Sequence, residues 1–238
     1  MCNGTFQRPD LRSQSKSCPE YIEVKQSVFA DNNAEAERVR RQLKENRTFL
    51  LNLMSSPGAG KTTTLVRTIS DLKSEMRIGI MEADIDSTVD AQTVADAGAK
   101  SIQIHTGGMC HLDAGMTEQG LIEIGAEDFD LVVLENVGNL VCPAEFDTGA
   151  SKNVAILSVP EGHDKPLKYP LMFEVFHALI INKTDVLPYF DFDMKKVVEY
   201  AHMRNPKLKI FPVSAKTGEG FEEWENWLRE QVSTWNEV

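Results

Sequence analysis

The sequence predicts an α/β fold in which helices cover both faces of a mostly parallel central sheet of about seven strands. Three observations lead there. From Thr48 onward, short apolar runs alternate with helical stretches, the pattern of parallel strands buried on both faces. The first run, Phe49 to Met54, passes straight into Ser55-Ser56-Pro57-Gly58-Ala59-Gly60-Lys61-Thr62-Thr63-Thr64, a glycine-rich turn that opens a helix. The chain of 238 residues is long enough for one such domain with a sizeable core.

Taken in order, residues 1–21 mix Cys2, Cys18, Pro9 and Pro19 with polar residues and read as a flexible N-terminal arm. Residues 22–238 read as the domain, which begins with a helix: Asn32 followed by Glu35 resembles a capping box, and Ala36, Val39 and Leu43 form an apolar stripe. Strands are expected near 48–54, 76–82, 101–106, 130–135, 153–159, 177–182 and 209–213. Helices are expected between them at 61–74, 88–97, 111–124, 166–175, 192–203 and 219–233. In the last helix Phe221, Trp224, Trp227 and Leu228 recur at helical spacing, which marks a core stripe.

Composition narrows the setting. A net charge of −11 and a pI near 5.0 set the whole molecule against duplexes and anionic membranes, so no nucleic-acid and no membrane partner is expected. No apolar stretch is long enough to span a bilayer, and the first residues carry no signal-like apolar segment. Cys2, Cys18, Cys110 and Cys142 are too few and too scattered for a disulfide scaffold. A reducing cytoplasm, with thiols open to metal, is the expected compartment.

The glycine-rich turn reads as a phosphate cradle, which specifies the fold as a three-layer P-loop NTPase. Gly58 and Gly60 permit backbone angles that turn successive N–H groups inward around Ala59, and the new helix adds its positive end. Lys61 is placed for the β- and γ-phosphates, Thr62 for a magnesium ion, and Thr63 for the phosphates beside it. The pattern departs from the common form in one place, with Ser55 where glycine usually stands.

In an open parallel sheet, ligands gather at the carboxyl ends of the strands. Asp84, in Glu82-Ala83-Asp84-Ile85-Asp86-Ser87-Thr88, follows the second strand, where a carboxylate reaches magnesium and the segment could sense the γ-phosphate. Asp130-Leu131-Val132-Val133-Leu134-Glu135-Asn136-Val137-Gly138 ends a strand in Glu135, placed to steady magnesium or its water, with Gly138 three residues on. Asn182-Lys183-Thr184-Asp185 selects the base. The Asp185 carboxylate accepts from guanine N1–H and the exocyclic amine, whereas adenine offers an acceptor at N1. Lys183 lies along the base plane, and Ser214-Ala215-Lys216 supply backbone donors to the guanine oxygen. GTP is therefore expected over ATP.

Cys110-His111 and Cys142-Pro143 fall near the same edge. Thiolate and imidazole suit zinc or nickel, whereas magnesium takes hard oxygens. An inert cysteine and a helix-start histidine would look the same in the bare sequence. Because three ligands per chain leave a four-coordinate site incomplete, a symmetric homodimer sharing them is one solution. His163 is a weaker candidate, and His105, His177 and His202 read as structural or surface residues.

Together these segments resemble the HypB family of GTPases that mature nickel enzymes. The resemblance rests on the phosphate loop, Thr106-Gly107-Gly108-Met109-Cys110-His111-Leu112-Asp113-Ala114, Glu135-Asn136-Val137-Gly138-Asn139-Leu140-Val141-Cys142-Pro143-Ala144, Glu161-Gly162 to Asp164-Lys165-Pro166-Leu167-Lys168-Tyr169-Pro170, and Asn182-Lys183-Thr184-Asp185. It runs from about residue 22 to the end. The resemblance implies a GTP-hydrolysing metallochaperone that dimerises with nucleotide and carries nickel toward a hydrogenase large-subunit precursor. Cys110, His111 and Cys142 would bind nickel or zinc at the dimer interface. It also implies a HypA-type nickel-binding accessory protein and a histidine-rich peptidyl-prolyl isomerase as partners. Two departures stand out. The start of the chain lacks the cysteine cluster or histidine tract of many members, and Ala83 replaces a common glycine.

The mechanism expected from these parts is a switch in which GTP and magnesium order the segment from Asp84 to Asp90, and hydrolysis reverses the change. Lys61, Asp84 and Glu135 form the catalytic set. With no arginine finger evident, slow intrinsic hydrolysis is expected. The rival readings are a metal-binding protein with a structural nucleotide site and an ATP-dependent small-molecule kinase on the same fold.

Overall fold

Each of the seven apolar runs forms a strand in the computed structural model, which describes residues 19–83, 94 and 97–237. The strands are β1 (Phe49–Ser55), β2 (Ile78–Glu82), β3 (Lys100–Gln103), β4 (Leu131–Glu135), β5 (Lys152–Ser158), β6 (Ala178–Asn182) and β7 (Lys209–Pro212). They pair in the order β3-β2-β4-β1-β5-β6-β7, and every pairing is parallel. The sheet is thus parallel throughout, a stricter version of the mostly parallel sheet expected. The helices are α1 (Pro19–Asn46), α2 (Lys61–Leu72), α3 (Ala114–Ile124), α4 (Lys165–Lys168), α5 (Pro170–Val175), α6 (Met194–Arg204) and α7 (Phe221–Asn236).

Strand periodicity builds two apolar layers. All of β1 is buried, and its side chains alternate between faces. Leu51 and Leu53 join Leu65, Ile69 and Leu72 of α2 and Phe221, Trp224 and Leu228 of α7. Leu50 belongs with Val39 and Leu43 of α1 and Leu121 of α3, whereas Met54 belongs with Phe173 of α5 and Val197 of α6. Each large side chain buried in this way contributes roughly 1.5–3 kcal/mol. The stripe expected on the last helix is indeed core, and Trp224 adds a hydrogen bond from Nε1 to Thr68 Oγ1 at 3.1 Å, which ties α7 to α2.

Several boundaries move, each for a physical reason. α1 begins at Pro19 and runs through Asn32, so Asn32 is no helix cap. Its buried amide instead donates to Asp147 O at 3.0 Å and accepts from Ala114 N at 3.0 Å, tying α1 to the start of α3. α3 starts at Ala114, later than expected, because Asp113 caps it by accepting from Met116 N. Cys110 and His111 therefore lie in a loop. The helix expected at 166–175 breaks at Tyr169, ahead of Pro170, whose ring disfavours helical geometry in the preceding residue. The helix expected at 88–97 lies mostly outside the described residues, although Val94 and Ala97 are helical. Residues 1–18 of the expected arm also lie outside them.

Candidate functional site

The phosphate loop forms where β1 ends. Ser55 is buried there and its hydroxyl donates to Ser56 O at 2.9 Å, so the serine in place of the usual glycine serves the strand end. Gly58 and Gly60 adopt φ of 77° and 95°, left-handed values that suit glycine. At Gly60 a Cβ would also lie 2.4 Å from Asn182 Nδ2. Asn182 Nδ2 donates to Ala59 O at 3.0 Å, and Lys183 Nζ donates to Gly58 O at 2.7 Å. The end of β6 thereby braces the loop.

α2 starts at Lys61 directly after Gly60, which aims its positive end at the turn. The resulting cleft has a volume of about 570 Å³ and is lined by Ser56, Pro57, Gly58, Gly60, Lys61, Thr62, Thr63, Glu135, Val137, Gly138 and Lys183. Lys61 Nζ lies 3.8 Å from Glu135 Oε1, with both side chains nearly buried. Glu82 stands in register beside Glu135 on the neighbouring strand and is buried too. Thr62 and Glu135 supply hard oxygen donors to one cleft, a set that fits magnesium. Asp84, expected as the third, lies outside the described residues, as does the rest of the segment to Asp90.

The base-side residues converge from two strand ends. Asn182 Oδ1 accepts from Lys183 N at 2.8 Å and from Ala215 N at 3.1 Å. This grip accompanies a left-handed backbone at Lys183, φ 64°, rare for a residue with a side chain. Ser214 Oγ donates to Asp185 Oδ1 at 2.8 Å, which orients the carboxylate. Lys216 follows as an exposed residue. The residues expected to read the base, Asn182, Lys183, Asp185, Ser214, Ala215 and Lys216, thus share one loop cluster beside the phosphate loop.

On the metal side the structure brings the two cysteines together. The influence of Cys142 holds the Cys110 thiol above its ordinary range, and desolvation adds to the rise. Two adjacent thiols are a soft donor pair that fits nickel or zinc. His111 lies beside Cys110, its Nδ1 3.9 Å from Cys110 Sγ, while its ring stacks on Phe146 with centroids 3.8 Å apart. Among the described residues, no group of three or more His, Cys, Asp and Glu side chains is arranged to hold a metal ion. Asn139 Nδ2 donates to Cys110 O at 3.3 Å, joining the loops that carry the two thiols. Three of the other four histidines are engaged elsewhere. His163 accepts from Asp193 N at 3.3 Å, His177 accepts from Asn153 N at 3.0 Å, and His202 pairs with Leu208 O at 3.0 Å.

Two features escaped the sequence reading. Lys165 Nζ lies 3.3 Å from Ser56 Oγ and 3.4 Å from Glu161 Oε1, a third ammonium at the phosphate loop beside Lys61 and Lys183. Only the packing of β5's end against the loop reveals it. The other is Asn52, hydrogen-bonded to Asn136 at the cleft's edge. Its signal was visible as the one amide inside the apolar run Phe49–Met54.

Comparison with known proteins gives the family and the fold. Residues 49–212 match the family described as CobW/HypB/UreG, nucleotide-binding domain. A hydrogenase maturation factor HypB from Rhizobium leguminosarum bv. viciae is 45% identical over 207 residues, 87% of this chain and 69% of that protein. The crystal structure of hydrogenase maturation factor HypB from Archaeoglobus fulgidus superposes with a TM-score of 0.80 at 40% identity, covering 85% of this chain and 99% of that one. HypB from Helicobacter pylori, crystallised in complex with nickel, also gives a TM-score of 0.80, at 38% identity, covering 86% of this chain and 96% of the other.

Proposed function

The chain belongs to the CobW/HypB/UreG family, and from that premise we propose that it is a GTP-hydrolysing metallochaperone, coupling GTP binding and hydrolysis to dimerisation and to nickel delivery in maturation of nickel-iron hydrogenase. The observation that carries this reading is the course of one short segment. It leaves β4 at Glu135 beside Lys61, passes Gly138 against the phosphate loop, reaches the Cys110 carbonyl through Asn139 Nδ2 at 3.3 Å, and ends at Cys142. A change at the γ-phosphate therefore has a covalent route to the thiols.

Lys61 and the loop amides would stabilise charge on the transferring phosphoryl group. Magnesium, held by Thr62 and Glu135 with Asp84 as a further ligand, would neutralise charge between the β- and γ-phosphates. Asp185, oriented by Ser214, supports guanine as the base. Cys110 and Cys142 would carry the metal cargo, with His111 joining after leaving Phe146, and a second copy of the chain would complete the ligand set. The nickel complex of the Helicobacter pylori relative favours nickel over zinc as that cargo. A HypA-type accessory protein, a hydrogenase large-subunit precursor and a histidine-rich peptidyl-prolyl isomerase are the partners this role calls for, in the cytoplasm.

The reading is tested by measuring dimerisation and nickel affinity with GTP, GDP and a non-hydrolysable GTP analogue. It expects the analogue state to differ from the GDP state in both; identical values in all three states overturn the coupling. Asp185→Asn is expected to shift preference from guanine toward xanthine nucleotides. An unchanged preference would remove the base assignment.

A further inference from the structure

Three asparagines cross the sheet in a line. Asn136, just beyond β4, donates from Nδ2 to Asn52 Oδ1 at 3.1 Å; Asn52, in the middle of β1, donates to Asn153 Oδ1 at 3.0 Å; Asn153, on β5, donates to Val175 O at 3.4 Å. Asn52 is 2% exposed and Asn136 1%. On the same face of β1, Leu50 and Met54 flank Asn52 and belong to different apolar clusters, so the amides run along the seam between them.

An asparagine at this place is unfavourable by every local rule. It has low strand propensity, and a buried amide must find partners or bear a desolvation cost that leucine would avoid. The compensating use lies at the Asn136 end. Asn136 Oδ1 accepts from Val137 N at 2.9 Å, while Asn136 N donates to Leu53 O at 2.9 Å. The turn is closed by Asn139 N donating to Val137 O at 2.6 Å. It presents Gly138 to the phosphate loop so closely that a Cβ there would lie 3.4 Å from Pro57 Cγ and 3.7 Å from Lys61 Nζ.

We propose that Asn52 is a positioning residue for nucleotide hydrolysis: by fixing the Asn136 amide it sets the Gly138 peptide where its N–H meets the γ-phosphate. The inference rests on the GTPase reading. GDP lacks the group that Gly138 addresses, so the ladder bears on GTP and leaves the hold on GDP, through the phosphate loop and Asp185, unchanged.

The test uses the full chain as wild type, Asn52→Leu and Asn52→Asp. Affinities for GDP and a non-hydrolysable GTP analogue come from titration calorimetry, and kcat and KM from phosphate release. In Asn52→Leu, kcat is expected to fall roughly 10–100-fold, the scale of a misplacement near 1 Å, with GDP affinity within about twofold of wild type. The analogue's advantage over GDP is expected to shrink. Equal losses for both nucleotides, or a folded variant with wild-type kcat, overturn the inference. Should Asn52→Leu fail to fold, Asn52→Asp decides. A protonated carboxyl reproduces the donor and acceptor of the amide, whereas an ionised one sets a charged oxygen against Asn153 Oδ1, and that repulsion displaces the side chain that fixes Asn136. Its preference for the analogue is expected to stay near wild type at pH 5.5 and to decline toward pH 8.5 relative to wild type; a ratio parallel to wild type across that range overturns the inference. A wild type that hydrolyses no GTP removes the GTPase reading and this inference together. Normal wild-type hydrolysis with unaffected variants removes the inference alone.

Discussion

At the scale of single residues, two different constraints act on the glycines of the phosphate loop. Gly58 at φ 77° has nothing within 4 Å of a hypothetical Cβ, whereas Gly60 at φ 95° would place that atom on the Asn182 amide. Gly58→Ala should therefore lose only the left-handed backbone penalty, about 1–2 kcal/mol. Gly60→Ala also displaces the side chain that braces Ala59 and Ala215, and should lose about 1–3 kcal/mol more together with nucleotide binding. Urea unfolding and nucleotide titration of the two variants check this; equal losses would mean that Asn182 yields freely. A second residue sets a pH dependence. Burial, reinforced by the Asp71 carboxylate, pushes Glu225 up to about 7. Its folded value lies above the ordinary glutamate value of 4.5, so the folded state holds the proton more tightly. The penalty for ionising it is absent below the unfolded value, grows as pH rises between the two, and is complete above the folded one. Glu225→Gln should then gain thermal stability over wild type at pH 8 and show little gain at pH 4.5. A gain that is constant with pH would show that ionisation of Glu225 plays no part.

At the scale of elements, what could be read in advance and what could not divide by where the determining contacts lie. The phosphate loop, the Asn182–Asp185 turn and the strands were legible because each is specified by a few consecutive residues: glycines at left-handed positions, an apolar run, a carboxylate after it. α1 was misjudged because Asn32 has the local chemistry of a cap, and only the distant Asp147 and Ala114 show that its amide serves as a strut. The Cys110–Cys142 contact could be anticipated as a shared edge, but the stacking of His111 on Phe146 depends on a loop that folds back from β4 to β5. The strut gives a prediction. Asn32→Ala leaves the Ala114 N–H and the Asp147 carbonyl without the amide that joins them, at a cost of about 1–3 kcal/mol. Ala114 follows His111 by three residues and Asp147 follows Cys142 by five, so the loops carrying both thiols should loosen. Reaction of Cys110 and Cys142 with a thiol reagent should accelerate in Asn32→Ala. An unchanged rate in a destabilised variant would confine the strut to stability.

For the whole molecule, the parallel sheet places three candidate sites on one edge: the glycine-rich loop at β1, the Asn182–Asp185 and Ser214–Lys216 turns at β6 and β7, and the two cysteine loops beyond β3 and β4. Strand order accounts for this. β1 lies between β4 and β5, so the connections diverge on either side of the phosphate loop and open the cleft there. Composition alone does not locate such a site, since a net charge of −11 says nothing of where the lysines at the loop point. It does bear on assembly. Two copies of a chain this acidic repel each other at long range, and the repulsion reaches about 30 Å at 0.01 M salt but only about 8 Å at 0.15 M. The proposed dimerisation with a non-hydrolysable GTP analogue should consequently tighten as sodium chloride rises from 10 to 150 mM at fixed magnesium and metal, by roughly severalfold, with the effect in the association rate. Sedimentation velocity and stopped-flow association measure the two quantities. If association weakens with salt, attractive charge pairs across the interface dominate over net repulsion, and the dimer is built on oppositely charged patches that the overall charge conceals.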